Sequence, residues 1–280
     1  MNRYFIFLAY NGQNYCGWQY QNNAMTVQAT IQNALMTLMQ KPVGIVGAGR
    51  TDTGVHAREM VAHFDSAEAL DLPMLTDKLN RVLPRDIVIY RIVPVRANAH
   101  ARFSALSRTY QYVVTHEKDP FNGHLMYRIS RELDYDLMNE AAQILFEFKD
   151  FTSFSKLHTE TKTNNCTIMH ARWEQQGSTW VFTIQANRFL RSMVRAVVGT
   201  LLEVGRGRMT PDEFRQVIIN QDRNTAGASA PAQALSLVKV EYDDSLFDVP
   251  DEVVPDATPS KTKSEANFDN QSFLYAYAPI

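Results

Sequence analysis

One short segment, GAGRTDTGVHA at 47–57, sets a carboxylate and an arginine in a glycine-rich frame. Asp52 follows Arg50 by two residues, and three glycines within eight residues let the backbone adopt positive φ and a ligand approach closely. A neighbouring arginine favours the charged form of an aspartate. An ionised carboxylate in a dry pocket can act as a nucleophile, as a base or as the stabiliser of an oxocarbenium-like sugar. The alternative is a structural aspartate that caps a turn, a common role in glycine-rich loops.

A second candidate is the row of arginines in RFLRSMVR at 188–195. We predict a helix over 188–204, which places Arg188, Arg191 and Arg195 on one stripe. An apolar row of Phe189, Met193 and Val197 lies beside the arginines and is expected to face the core. Such a stripe can hold phosphates or pair with a buried carboxylate. The alternative is a solvated helix face.

The third candidate is HARFSALSRTYQY at 100–112. In a strand, Tyr110 and Tyr112 lie on the same face. Aromatic rings on a sheet can stack a base that has been drawn out of its helix. The alternative is core packing for at least one ring. His100 is expected to be a hydrogen-bonded structural residue without a catalytic role.

The elements that must position these residues alternate in type along the chain. Helices are expected to begin at Thr26, Asp71, Asp134 and the capping box Thr210–Glu213, because each offers a side chain that can cap a helix N-terminus. Strands are predicted from their apolar and β-branched runs at 3–10, 43–46, 60–64, 87–93, 108–115, 166–173, 180–185 and 235–242.

This order predicts an α+β fold of two similar halves, each an antiparallel or mixed sheet with helices packed on one face. We assign residues 1–104 to an N-terminal half that carries the Asp52 loop. Residues 105–244 form a C-terminal half with the arginine helix. Residues 245–280, rich in Pro, Asp, Ser and Lys, are assigned to an acidic, partly disordered tail.

The composition excludes several protein classes. The chain has 280 residues, of which 45% are hydrophobic and 21% charged, as in ordinary soluble domains. No window approaches the roughly 18 consecutive apolar residues of a membrane span, and the first residues do not read as a signal peptide. Cys16 and Cys166 give neither a disulfide framework nor a metal-ligand spacing. A cytoplasmic location is expected.

The charge is unevenly distributed along the chain. The net charge is −2, yet eight acids and two lysines after Tyr242 give residues 243–280 a charge of −6, so residues 1–242 carry +4. A mildly basic body with an acidic tail is compatible with RNA binding and does not establish it.

The motifs together resemble the tRNA pseudouridine synthase A family. After GAGRTDTGVHA and its following VAHF, the resemblance extends to further collinear motifs over about residues 3–242. These are YNGQNYCGWQYQ with TVQATIQNAL, LPRDIVI, HARFSALSRTYQYVV, DFTSFSK, NRFLRSMVRAVVGTLLEVGRG and ASAPAQALSLVKVEY.

The resemblance implies an activity, an assembly and a site. Family members are homodimers whose two α+β halves meet at a positively charged cleft that holds the active site. They modify uridines at positions 38, 39 and 40 of the tRNA anticodon arm without metal or cofactor. By resemblance Asp52 is the catalytic residue, Tyr110 packs against the target base and Arg195 pairs with the carboxylate. Arg50 is implied to engage the RNA and Leu235 to line the pocket.

Three positions depart from the family pattern. Ala196 stands where the family usually has Asn, Ala234 where it often has Gly, and Cys166 near a position that is often Arg. These departures bear on RNA affinity and on the choice among target uridines.

Pseudouridine formation breaks the N1–C1′ bond, rotates the uracil and rejoins it through C5, so no atoms or electrons are lost. Asp52 can attack C1′, attack C6, or assist proton removal from C2′, and the sequence does not choose among these. Two other classes remain open. One is a non-catalytic RNA-binding protein of similar α+β architecture; the other is a base-removing glycosidase or nucleoside hydrolase, which normally needs a second carboxylate or a metal.

Overall fold

The computed structural model describes residues 1–156 and 163–248, which form an α+β fold on a mixed β-sheet. The strands are β1 Asn2–Tyr10, β2 Val46–Gly47, β3 His56–Ser66, β4 Ile87–Val95, β5 Ala105–Thr115, β6 Tyr127–Arg128, β7 Ile168–Gln176, β8 Thr179–Ala186 and β9 Leu235–Tyr242. The α-helices are α1 Val27–Met39, α2 Leu72–Val82, α3 Tyr135–Ile144, α4 Met193–Gly205 and α5 Pro211–Ile219.

The strands form one continuous sheet, so the expectation of a separate sheet in each half is wrong. Its order is β4-β1-β3-β9-β5-β8-β7, with β2 paired to β3 and β6 paired to β5. The last strand, β9, lies between β3 and β5 and joins the two parts of the chain. Its parallel pairing with β3 is short, with His56 opposite Ser236 and Ala57 opposite Leu237. The antiparallel pairing of β9 with β5 is much longer.

The predicted helix starts are confirmed by their capping hydrogen bonds. Thr26, Asp71, Asp134 and Thr210 each accept a backbone N–H of the first turn of α1, α2, α3 and α5. The capping box at α5 is complete, because the Glu213 side chain in turn accepts from the Thr210 N–H. In α1 the apolar residues Val27, Ile31 and Leu35 recur at helical spacing and are buried.

Helix α4 begins at Met193 instead of 188, so the predicted helix over 188–204 is five residues too long. Ser192, just before it, has a φ of 60°, a left-handed conformation that interrupts a right-handed helix. The preceding backbone bonds to other segments: the Asn187 N–H donates to Thr167 and the Arg191 carbonyl accepts from Lys156. Arg188 and Arg191 therefore do not share a helical stripe with Arg195.

The bounds of two further predicted segments differ in the structure. The predicted strand at 43–46 is reduced to Val46–Gly47, which pairs with His63 and Ala62 of β3. Residues 245–248, assigned to the tail, pack on the body: Phe247 lies 6.2 Å from Phe5 and 6.4 Å from Phe7, centroid to centroid. The remainder of the predicted tail, 249–280, lies outside the described residues.

Both cysteines are free thiols, as expected. In the part of the chain that the structure describes, no helix has the length and apolar character needed to cross a membrane.

Candidate active site

Asp52 lies in the N-terminal part of the sequence and contacts two side chains from the C-terminal part. Its Oδ2 accepts a hydrogen bond from Ser192 Oγ at 2.7 Å and one from Arg195 Nη1 at 3.3 Å. The side chains of Asp52 and Arg195 are 23% and 22% exposed, so the pair is mostly shielded yet still open to a ligand. A partly buried carboxylate with a cationic partner is a site for charge-dependent chemistry.

Helix α4 adds a positive field to the same site. Ser192 is the residue before α4, and Arg195 lies in its first turn. The unpaired N–H groups of a helix N-terminus favour a nearby negative charge, which here is the Asp52 carboxylate. The left-handed backbone of Ser192 is a sparsely populated conformation for a residue other than glycine, and such strain is typical of functional sites.

Arg195 is fixed by a contact on its other side. Its Nε donates to the Ala230 carbonyl at 2.7 Å, and the Ala230 N–H donates back to the Arg195 carbonyl at 2.9 Å. Ala230 is buried, so this carbonyl has little access to water as a substitute partner. The guanidinium is thus held on two sides before any substrate binds.

The loop that carries Asp52 is fixed to the N-terminal segment. Thr51 is buried and bonded through its Oγ1 to the Tyr10 hydroxyl at 2.9 Å, and its carbonyl accepts from the Trp18 N–H at 3.2 Å. Gly17, at a φ of +83°, lets this approach occur, because a Cβ there would collide with the Thr51 carbonyl. The position of Asp52 is therefore set by residues on both sides of it.

His56 joins the two parts of the chain directly after the loop. Its Nδ1 accepts from the Gly12 N–H at 2.9 Å, which leaves Nε2 protonated to donate to the Gln233 carbonyl, also at 2.9 Å. Burial lowers the pKa of His56, so the ring is neutral and this pattern of one acceptor and one donor is stable.

Tyr110 is buried near the Asp52 carboxylate, and Leu235 is buried on the neighbouring strand. Burial raises the pKa of Tyr110 to about 12, and the nearby charge of Asp52 adds to this shift, so the hydroxyl is protonated at neutral pH. The Tyr110 ring meets Phe189 edge to face at 5.2 Å between centroids. Leu235 is buried on β9 opposite Tyr112 of β5, on the face that Tyr110 shares.

Arg50 does not pair with Asp52, contrary to the interpretation drawn from their spacing. Its side chain is exposed, and the cationic partner of the carboxylate is Arg195. A different arginine is buried here: Arg108 donates to the carbonyls of Ala48 and Asn187, both at 2.9 Å. It fastens the start of the Asp52 loop to the C-terminal part of the chain.

Sequence reasoning missed Ser192, His56 and Arg108 as site residues. Ser192 lies 140 residues from Asp52 along the chain, so no local pattern signals the contact. His56 and Arg108 lie within the segments 47–57 and 100–112, which were singled out from the sequence, and their place in those segments was the signal that could have identified them. Within the described residues, no group of three or more His, Cys, Asp and Glu side chains is placed to hold a metal ion.

Comparison with known proteins gives consistent matches across most of the chain. A family model described as tRNA pseudouridine synthase matches residues 6–104 and 141–243. The chain is 62% identical to tRNA pseudouridine synthase A of Parabacteroides distasonis over 252 residues, covering 90% of this chain and all of the relative. It is 58% identical to the protein of that name in Bacteroides thetaiotaomicron, covering 88% of this chain and 93% of the relative. The corresponding protein of Acetivibrio thermocellus is 39% identical, with 85% of this chain and 98% of the relative covered.

Proposed function

The chain belongs to the tRNA pseudouridine synthase family, and we propose that it isomerises uridine to pseudouridine at positions 38, 39 and 40 of the tRNA anticodon arm. It is an isomerase that acts on RNA. The observation that carries the proposal is the Asp52 carboxylate, mostly shielded from solvent and bonded by Ser192 and Arg195 at the N-terminus of α4.

Asp52 is the catalytic carboxylate in this proposal. The reaction breaks N1–C1′ and forms C5–C1′; the C5 proton leaves, and N1 gains a proton. Attack on C1′, attack on C6 and removal of the C2′ proton all need an anionic group beside the ribose and the base. Arg195, Ser192 and the positive end of α4 favour that anion. Because atoms and electrons are conserved, the reaction consumes no oxidant or co-substrate, and no metal or cofactor is proposed.

Tyr110 packs against the target base in this proposal, and Leu235 lines the pocket. The edge-to-face contact with Phe189 holds the Tyr110 ring in one orientation. Because its hydroxyl is protonated near neutral pH, it can donate a proton while the uracil turns. Arg50, exposed in the loop next to Asp52, contacts the RNA backbone.

We place the active-site cleft between two halves of the chain. Its support is that the Asp52 loop comes from the N-terminal part, whereas Ser192 and Arg195 come from the C-terminal part. The enzyme is further proposed to act as a homodimer in the cytoplasm, where tRNA is found. The mildly basic charge of +4 on residues 1–242 suits the anticodon arm of tRNA as a partner.

The test is a tritium-release assay on tRNA labelled at uridine C5. Release of tritium from the RNA, with the nucleotide retained as pseudouridine, is the expected result. A non-catalytic RNA-binding protein gives no release, and a base-removing glycosidase gives free uracil. To determine which positions are modified, uridine is replaced by cytidine at position 38, 39 or 40 in turn. Tritium release from a modified position is lost when cytidine stands there, because cytidine is not converted to pseudouridine.

A further inference from the structure

Phe103 is an exposed aromatic ring next to the candidate active site. It lies in the turn between β4 and β5 and is 76% exposed. A single exposed apolar side chain is common on protein surfaces and needs no explanation by itself. Phe103 differs because several hydrogen bonds hold its backbone and the Arg102 guanidinium lies beside its ring.

The turn beneath Phe103 is built around His100. The His100 Nδ1 accepts the backbone N–H groups of Arg102 at 3.1 Å and Phe103 at 3.2 Å. The His100 N–H donates to Ser104 Oγ at 2.9 Å, and the Ser104 N–H donates back to the His100 carbonyl. The His100 ring lies 4.3 Å from that of Phe103, centroid to centroid. These contacts present the phenylalanine ring to solvent in a defined place.

The turn is also fastened to the rest of the site. The Ala101 N–H donates to His63 Nδ1 at 3.1 Å, and the Ala101 carbonyl accepts from the Tyr242 hydroxyl at 2.6 Å. Arg108 donates from one nitrogen to both the Arg102 carbonyl and the Ala48 carbonyl of the Asp52 loop. These bonds connect the turn that carries Phe103 to the Asp52 loop and hold the two at a fixed distance.

Three arginines lie near one another here: Arg102 is beside the Phe103 ring, and Arg50 and Arg188 are close enough to Arg102 for their charges to act on it. Burial, together with the like charges of Arg50 and Arg188, lowers the pKa of Arg102. The Arg102 guanidinium carbon lies 5.6 Å from the centroid of the Phe103 ring. Across residues 1–156 and 163–248, none of the three arginines forms an ion pair with a carboxylate. Gathered like charges without a counter-charge suit an anionic polymer such as an RNA backbone.

We propose that Phe103 stacks on the base of a nucleotide adjacent to the target uridine, while Arg50, Arg102 and Arg188 bind the phosphates around it. The proposal rests on the proposed function and names a contact of the same site. A uridine drawn into the site leaves its neighbour without a stacking partner. An aromatic ring flanked by arginines replaces that partner, because every base has a face that stacks.

The first test compares Phe103→Ala and Phe103→Trp on an anticodon-arm RNA. The alanine variant is expected to lose about 5- to 150-fold in kcat/KM, the range of base–aromatic stacking, while tryptophan keeps most of the wild-type kcat/KM. Phe146→Ala is the matched control, because Phe146 is also exposed, at 43%, and has no role in the proposed site. An unchanged Tm shows that the exposed Phe103 ring is not needed for folding. Wild-type kcat/KM in the Phe103→Ala variant overturns the proposal.

The second test separates stacking from an indirect effect. RNAs that lack the base of the nucleotide either 5′ or 3′ of the target are assayed with wild type and with Phe103→Ala. Loss of the base is expected to abolish the difference between the two proteins at one of these positions, because the ring then has nothing to stack on. If Phe103→Ala lowers kcat/KM by the same factor on the intact RNA and on both RNAs that lack a base, the proposal is overturned. Tritium release by wild type on intact RNA reports separately on the proposed function, which can hold when the stacking contact does not.

Discussion

Replacing Arg195 with methionine removes two contacts of one side chain, one expected to affect turnover and the other stability. Its Nη1 binds Asp52 at 3.3 Å, and its Nε binds the Ala230 carbonyl at 2.7 Å. A hydrogen bond to a charged group contributes about 1.5–3 kcal/mol, so turnover should fall by about 10- to 150-fold. The buried Ala230 carbonyl loses its side-chain donor, which should cost about 1–3 kcal/mol of stability. For a domain of this size, each 1 kcal/mol lowers the Tm by about 2–4 °C.

Ser192→Ala is the control for this prediction. It removes the 2.7 Å hydrogen bond to the same carboxylate and leaves the Arg195–Ala230 contact in place. Its turnover should fall while its Tm stays closer to that of wild type than the Tm of Arg195→Met. Arg195→Lys should recover only part of the turnover, because lysine keeps the charge but lacks the planar fork.

The assay is single-turnover pseudouridine formation with enzyme in excess over tRNA, together with thermal unfolding of each variant. Normal turnover in Arg195→Met refutes the claim that Arg195 holds the Asp52 carboxylate in position for the reaction. A Tm loss in Ser192→Ala as large as that in Arg195→Met refutes the separation of the two contacts.

The other predictions concern the base contact, pH and the acidic tail. Tyr110→Phe should keep the packing on Phe189 and lose the hydroxyl, whereas Tyr110→Ala loses both; equal, near-normal rates in the two variants would assign Tyr110 to core packing alone. Burial, with the charges of His100 and Arg3, lowers the pKa of His63 to about 4, so the folded state binds its proton less readily than the unfolded state. Neutral His63 therefore contributes fully to folding stability above about pH 6.5, and this contribution falls toward pH 4. The Tm of His63→Gln should depend less on pH over that range than the Tm of wild type. Equal changes of Tm with pH in the two proteins would contradict this. Deleting residues 250–280 should preserve turnover and slightly strengthen tRNA binding at low salt, an effect that salt screens; a large fall in Tm or in dimer mass would show that the segment is structural.

Local patterns were sufficient for most of the secondary structure. Each capped helix start was readable because the capping side chain and the N–H that it accepts are three residues apart. Strand β1 was likewise readable from its run of aromatic and branched residues. The start of α4 was not, since the apolar spacing of Phe189, Met193 and Val197 continues through a segment that Ser192 breaks with a left-handed backbone.

Long-range contacts were beyond the sequence pattern. The motif singled out Asp52, but spacing suggested Arg50 as its partner, whereas the structure brings Arg195 from 143 residues away. The single sheet could not be predicted for the same reason. Strands β3 and β9 pair although they are far apart in the sequence, and the sequence of β9 does not indicate which strand it pairs with. Resemblance to a family supplied the Asp52–Arg195 pairing that spacing did not.

The most direct test of the central claim is single-turnover conversion by Asp52→Asn, with tRNA binding measured on the same preparation. The amide has the shape of the carboxylate and lacks its charge, so we expect no pseudouridine, near-normal tRNA binding and a Tm close to that of wild type. Conversion within about tenfold of the wild-type rate, after deamidation to aspartate has been excluded by mass spectrometry, would contradict the assignment of Asp52 as the catalytic carboxylate.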